Sequence, residues 1–159
     1  ELNIAYGIAS LFITVIAFSG IPGGILMMIV SDYVGTKKSL GIIYVLIAFS
    51  ILLVVFGGSQ VSIIISAVAW FGFLYGAVFP LVAACARDYL PREATGTALG
   101  LLTIFYGIGA MITPILTGYF ADVTETFRWS FGLGALASFL AALLIGFLKK
   151  PIEFQRHKD

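Results

Sequence analysis

The chain has 159 residues, of which 60% are hydrophobic and 11% are charged. Soluble domains contain about 45–50% apolar and about 25% charged residues, so this composition excludes an ordinary water-soluble fold. A net charge of +1 gives no support for nucleic-acid binding, and the single cysteine, Cys85, excludes an internal disulfide framework and a multi-cysteine metal site.

Five apolar stretches, separated by charged and turn residues, are each near or above the roughly 20 residues that a bilayer requires. Every backbone amide in hydrocarbon must be paired within its own segment, so such stretches become helices. The predicted spans are residues 4–30, 39–57, 61–86, 96–121 and 129–148. The predicted fold class is therefore all-α, a polytopic helical bundle in one domain, 1–150, with a cytoplasmic tail at 151–159.

The basic residues predict an orientation. All nine Lys and Arg residues except Arg128 fall on one side of the membrane under this threading. Such an excess marks the cytoplasmic side, so we expect the first residue outside and the tail in the cytoplasm, in a plasma membrane. Because the chain begins at Glu1 without methionine, we also expect it to be an excerpt from a longer protein.

Proline divides the spans into two groups. Pro22, Pro80 and Pro114 lie within the first, third and fourth spans, where each removes a backbone hydrogen bond and is a candidate helix hinge. These spans also hold most of the glycine and hydroxyl groups. We expect them to face a protein interior or aqueous cavity, and the proline-free second and fifth spans to face lipid.

Small residues four positions apart predict close helix packing. The pattern occurs at Gly20 with Gly24, Gly72 with Gly76, Gly96 with Gly100, and as Gly134, Ser138, Ala142 and Gly146.

The connector from Ser31 to Lys38 combines an acidic residue, a glycine and two lysines. Asp32 can accept hydrogen bonds from the N-terminal amides of a neighbouring helix, and Gly35 permits a tight reversal. Lys37 and Lys38 would hold the loop at the membrane surface. The spacing fits a conformational-switch loop and an ordinary charged loop equally well.

This loop resembles the signature of the major facilitator superfamily, in which Gly-x-x-x-Asp-Arg-x-Gly-Arg-Arg joins the second and third helices of each six-helix half. Asp32, Gly35 and Lys37 match that signature. Three positions depart from it: Met28, Tyr33 and Thr36.

The resemblance continues along the chain. Residues 75–91 resemble the fourth helix of the C-terminal half and its cytoplasmic exit, and residues 96–122 resemble the fifth. The resemblance implies helices eight to twelve of a twelve-helix transporter, with the N-terminal half of the same chain as a missing partner.

A transporter of this kind implies two halves that rock around a solute site near the bilayer midplane. The candidates for a substrate cavity are polar and aromatic residues near mid-depth: Thr14, Ser19, Trp70, Tyr75, Thr103 and Tyr106. Tyr and Trp can stack on or hydrogen-bond a small solute, whereas plain packing or an interhelical hydrogen bond is the alternative role for each. No ionisable residue lies well inside a span, so any coupling charge is expected in the missing helices.

Charges of both signs lie between the third and fourth spans. We predict that this segment forms cytoplasmic gate contacts through Arg87, Asp88, Arg92 and Glu93. Exposed pairs are worth only about 0–1 kcal/mol each, so such a gate would bias conformations rather than lock them.

The expected function is secondary active transport of a small solute, with the lipid bilayer and the solute as partners and no cofactor, metal or nucleic acid. A membrane enzyme would need clustered catalytic side chains, and one histidine, one cysteine and scattered carboxylates argue against it. A non-transporting membrane scaffold or assembly subunit stays open as the alternative.

Overall fold

The computed structural model describes residues 6–56 and 60–149, and every regular element in that part of the chain is an α-helix. The helices are α1 (Tyr6–Val34), α2 (Thr36–Phe56), α3 (Val61–Tyr89), α4 (Arg92–Thr124) and α5 (Arg128–Phe147). All five are long and apolar enough to cross a membrane. The predicted all-α bundle of five spanning helices is confirmed.

The reversal between α1 and α2 is shorter than predicted. Residues 31–34 and 36–38 are helical, and Gly35 is the only residue between the two helices. Its φ of +96° is one that side chains rarely adopt, which is why glycine stands there. The Gly35 amide donates to Ser31 O at 2.8 Å and its carbonyl accepts from Ser39 N at 3.0 Å, so helical bonding continues up to the reversal on both sides.

The turn between α3 and α4 is similarly short, because only Leu90 and Pro91 separate these helices rather than the predicted segment 87–95. Pro91 has φ −61° and ψ 152°, and its carbonyl accepts from the amides of Ala94 and Thr95, both at 3.0 Å. Proline suits this position because it lacks an amide and its fixed φ leads into a helix.

Both short turns and the end of α5 lie at the same end of the bundle, where Thr36 bonds to Asp88 and Lys37 bonds to Gly146. We call it the basic face, defined by Lys37, Lys38, Arg87, Arg92 and Lys149. Arg128 begins α5 at the opposite end.

The buried core lies between α2 and α3. It consists of Leu40, Ile43 and Ile47 from α2 with Leu74, Ala77, Leu81 and Cys85 from α3. The expectation that the second span faces lipid is therefore wrong for one side of α2, although Ile42, Val45 and Phe49 on its other side are exposed. By contrast α4, which was expected to face an interior, contains no buried residue.

Helices α1 and α3 approach each other backbone to backbone through glycine. A Cβ on Gly23 would overlap the Phe73 carbonyl and lie 2.8 Å from Phe73 Cα, and a Cβ on Gly76 would lie 2.6 Å from Gly20 Cα. The predicted close packing at Gly20/Gly24 and Gly72/Gly76 is thus confirmed, and the two patterns are partners. Gly96 and Gly100 follow the same spacing, but no described neighbour lies within 4 Å of a Cβ at either position.

The three internal prolines lie within uninterrupted helices, in α1, α3 and α4. Pro80 cannot donate to the carbonyl of Gly76 four residues earlier. That oxygen faces α1, where a Cβ on Gly24 would lie 3.1 Å from it. The hinge role of Pro22, Pro80 and Pro114 stays a prediction.

Candidate functional site

Two tyrosines in the middle of α3 and α4 join these helices. The hydroxyls of Tyr75 and Tyr106 lie 2.5 Å apart, within hydrogen-bonding distance. Both side chains are open to the surroundings, with 42% and 58% of their surface exposed. A shared hydrogen bond uses one of the two hydroxyl protons, so the pair retains one O–H donor and acceptor lone pairs for a third group. The remaining donor and lone pairs are therefore available to a polar group from outside the pair.

Phe71 extends this site, because its ring stacks on Tyr75 with centroids 5.5 Å apart and an angle of 15°. Sequence analysis did not select Phe71. The available signal was its position four residues before Tyr75, which places both side chains on one face of α3.

Trp70 lies away from the tyrosine pair. It stacks on Phe73 with centroids 5.8 Å apart. It also lines a cavity of about 310 Å³ with Leu53, Ser62 and Ser66, between α2 and α3 toward the end opposite the basic face. Tyr75 lies five positions after Trp70, so the two side chains project in different directions from the helix. The structure therefore does not combine Trp70 with the tyrosines in one site.

The three serine and threonine candidates bond within their own helices. Thr14 Oγ1 donates to Ser10 O at 3.0 Å, Ser19 Oγ donates to Val15 O at 2.7 Å, and Thr103 Oγ1 donates to Leu99 O at 2.8 Å. Each donor is thereby satisfied in hydrocarbon, which leaves only lone pairs to receive a hydrogen bond from a solute.

Thr14 and Thr103 are exposed, whereas Ser19 is half-buried in the α1–α3 contact. A Cβ on Gly72 would overlap Ser19 Oγ, so the serine hydroxyl occupies space that the glycine provides. The structure assigns Ser19 a packing contact, in addition to the solute role predicted from its depth.

The predicted switch residues lie on helix ends rather than on a loop. Lys37 Nζ donates to Gly146 O at 2.9 Å and to Leu148 O, so the α2 ammonium group caps the C-terminal end of α5. A cation is favourable there because the last carbonyls of a helix carry partial negative charge. Asp32 and Lys38 are exposed, and neither side chain has a hydrogen-bond partner among the described residues.

Thr36 provides a contact that sequence analysis missed. Its Oγ1 donates to Asp88 Oδ2 at 2.7 Å, which joins the start of α2 to the end of α3. The only sequence signal was a threonine at a position where the resembled signature has a basic residue. Because a hydroxyl replaces a cation, the link to Asp88 is a hydrogen bond rather than an ion pair.

The predicted gate residues Arg87, Asp88, Arg92 and Glu93 are all exposed at the basic face. No ion pair forms within 4.0 Å among residues 6–56 and 60–149, so these four charges do not pair with one another there. Within the same residues, no group of three or more His, Cys, Asp or Glu side chains could hold a metal ion.

Comparisons with known proteins agree on one family. Residues 1–159 match the protein family described as "Major Facilitator Superfamily". The chain is 29% identical over 157 residues to the probable galactarate/D-glucarate transporter GudP of Bacillus subtilis strain 168, an alignment that covers 90% of this chain and 34% of that protein. It is 26% identical over 153 residues to the probable galactarate/D-glucarate transporter GarP of Escherichia coli K12, covering 88% of this chain and 34% of that protein.

A shorter similarity involves half of the chain. Over 79 residues the chain is 24% identical to monocarboxylate transporter 12 of Rattus norvegicus, an alignment that covers 50% of this chain and 16% of that protein. No solved structure matches. The chain spans about a third of the length of the two bacterial relatives.

Proposed function

This chain belongs to the major facilitator superfamily, and on that premise we propose that its protein moves a small carboxylate-bearing solute across the membrane by alternating access. The chain is part of an integral membrane protein. We infer that this protein transports a solute rather than catalysing a reaction.

The observation that carries the proposal is the exposed Tyr75–Tyr106 hydroxyl pair. Hydroxyls at mid-depth are costly to expose to hydrocarbon unless a polar group or water meets them. A solute with carboxylate and hydroxyl groups can accept from the free tyrosine O–H and donate to the tyrosine oxygens. Phe71, stacked on Tyr75, would give the same solute an apolar wall.

The relatives suggest which solutes to test first. GudP and GarP are described as probable galactarate/D-glucarate transporters, and the rat relative as a monocarboxylate transporter. These solutes share a carboxylate, and the sugar acids add a row of hydroxyl groups. A cation that pairs with the carboxylate is expected in the N-terminal half of the same protein, which we propose as the partner of this bundle.

We propose that the basic face is cytoplasmic and that the membrane is the plasma membrane. Lys37, Lys38, Arg87 and Arg92 lie at this face, and such an excess is typical of the cytoplasmic side. The start of the chain then lies outside, and the segment after Lys149 lies in the cytoplasm.

The short turns indicate how the helices would move during alternating access. Gly35 and the Thr36–Asp88 hydrogen bond connect α1, α2 and α3 at the basic face, so we expect these three helices to rotate together. Asp32, Arg87, Arg92 and Glu93 remain free to contact the other half in the inward-closed state. Bending at the internal prolines would let the open side of the site close around a solute.

The proposal is tested by uptake of radiolabelled galactarate into proteoliposomes that contain the protein at its full natural length. Tyr75→Phe and Tyr106→Phe each remove one hydroxyl but keep the ring. One hydrogen bond is worth about 0.5–1.5 kcal/mol, so each variant should raise KM about two- to tenfold. Because both changes break the same hydroxyl pair, the double variant should differ from the product of the single effects.

Tyr119→Phe is the matched control, since Tyr119 is an exposed tyrosine of α4 that contacts Phe120 edge to face and has no hydrogen bond among the described residues. It should leave KM unchanged. Normal KM in both site variants would refute the tyrosine site. Failure to take up galactarate, glucarate or any monocarboxylate would refute the solute class and favour the scaffold alternative.

A further inference from the structure

A groove runs between α2 and α5 from the basic face into the span. It has a volume of about 490 Å³, and its floor includes Gly41 of α2 with Ala142 and Gly146 of α5. Small side chains make the trough: a Cβ on Gly41 would meet only Ile145 Cγ2 at 3.9 Å, and one on Gly146 would meet nothing within 4 Å among the described residues. Its walls are apolar and include Val45 and Leu143, both exposed.

Two lysines close the end of this groove at the basic face. Lys37 and Lys38 both line it, and no acidic side chain does. Lys37 is fixed by its bonds to the carbonyls of Gly146 and Leu148. Lys38 is exposed and has no partner among the described residues, and Lys149 follows directly after Leu148. The groove therefore combines a positively charged mouth with a neutral, apolar floor.

From this charge pattern we propose that the groove binds an anionic phospholipid, with its phosphate at Lys37 and Lys38 and one acyl chain along the trough. Lysines beside a membrane surface attract anionic lipid headgroups. A gap between helices can hold an acyl chain of matching width. The distance from Lys37 to Leu46 along α2 is roughly 14 Å at about 1.5 Å per residue. One leaflet is half of a hydrocarbon core of about 30 Å, so the trough has the depth of a single leaflet.

The combination of two lysines with an apolar trough favours a lipid over other occupants. A soluble anion would use the lysines but gain nothing from the apolar trough. An apolar helix would use the trough but leave the lysines beside its backbone, where they find no counter-charge. A lipid with a negative headgroup satisfies both, and it would hold the ends of α2 and α5 together at the basic face.

Native mass spectrometry of the full-length protein, released from detergent after equilibration with dioleoylphosphatidylglycerol or dioleoylphosphatidylcholine, tests the proposal. We expect the anionic lipid to be retained preferentially. Lys38→Gln should reduce that retention about fivefold, the effect expected for one lysine at an anionic membrane surface. Ala142→Phe keeps the charge but fills the trough, and it should abolish retention.

Arg92→Gln is the matched control, because Arg92 is an exposed cation of the same face that does not line the groove. It should leave lipid retention unchanged. Equal retention of the two lipids would overturn the proposal, as would equal losses in Arg92→Gln and Lys38→Gln. Displacement by water-soluble glycerol 1-phosphate as effective as that by the lipid would identify a soluble-anion site, and lipid-free dimers lost in Ala142→Phe would identify a second copy of the chain; either result would also overturn it.

Discussion

The substitution Gly23→Ala tests the closest helix contact in the structure. Gly23 is buried in α1, and all three atoms nearest to a Cβ at this position belong to the backbone of Phe73 in α3. Backbone atoms cannot rotate away as a side chain can. Placing a methyl group there would therefore move the two helix backbones apart by roughly 2 Å, until the Phe73 carbonyl oxygen reaches the 3.4–4 Å range of ordinary contact.

The expected cost follows from two opposing effects. Overpacking a tight interface typically costs about 1–3 kcal/mol, whereas alanine in a helix is favoured over glycine by roughly 0.5–1 kcal/mol. Gly134→Ala isolates the second effect. Gly134 has the same small-residue spacing in sequence, but its Cβ would meet only Ile51 Cδ1 at an ordinary 3.9 Å. The difference between the two variants should equal the overpacking cost, or roughly a five- to 150-fold change in the ratio of folded to unfolded protein.

The assay is unfolding of the purified protein by SDS in mixed micelles, followed by tryptophan fluorescence. Gly23→Ala should unfold at a lower SDS fraction than the parent, and Gly134→Ala at the same fraction or a higher one. Equal midpoints for the two variants would show that α1 and α3 are farther apart than the structure has them.

Three further predictions concern the basic face. Asp32→Asn should abolish solute uptake while the protein still inserts, because the exposed carboxylate is proposed to contact the other half; normal uptake kinetics would contradict that role. Thr36→Val should lower the unfolding midpoint, since it removes the 2.7 Å hydrogen bond to Asp88, whereas Thr36→Ser should keep that bond and the parent's midpoint. Equal midpoints for the two variants would show that the bond contributes nothing to stability. Neutralising Arg87 and Asp88 together should shift the inward-to-outward ratio measurably, by up to about fivefold for each pair formed with the other half, because an exposed pair is worth up to about 1 kcal/mol. Distance labelling measures this ratio, and an unchanged ratio would exclude the gate.

The close contacts show where sequence patterns stop being informative. Gly72/Gly76 and Gly96/Gly100 have identical spacing, yet the first pair lies against α1 and the second meets nothing within 4 Å among the described residues. Likewise, mid-depth was a sufficient criterion to select both Trp70 and Tyr75, but only Tyr75 meets a hydroxyl of another helix. Spacing along one helix does not specify which helix stands opposite.

The sequence by itself determined the number of helices, their approximate bounds and the fact that they lie in lipid rather than water. Hydrocarbon cannot hydrogen-bond a backbone, so each apolar stretch such as residues 39–57 must satisfy its own amides as a helix wherever it packs. The basic residues at the ends of the stretches likewise predict their alternation across the membrane. These properties are local, and no tertiary contact was needed to predict them.

Only the tertiary structure decided which helices meet and which side of each is covered. Helices such as α2 are apolar all round, so their sequence carries no contrast between a packed side and a lipid side, and the burial of Ile43 could not be read from it. The contacts between helices each depend on the rotation of one helix relative to another. They are the Tyr75–Tyr106 pair, the Thr36–Asp88 hydrogen bond and the hydrogen bond from Lys37 to Gly146. For α1 and α3, close packing of glycines across the interface sets that rotation. In every case the rotation is a property of two helices together and of neither one alone.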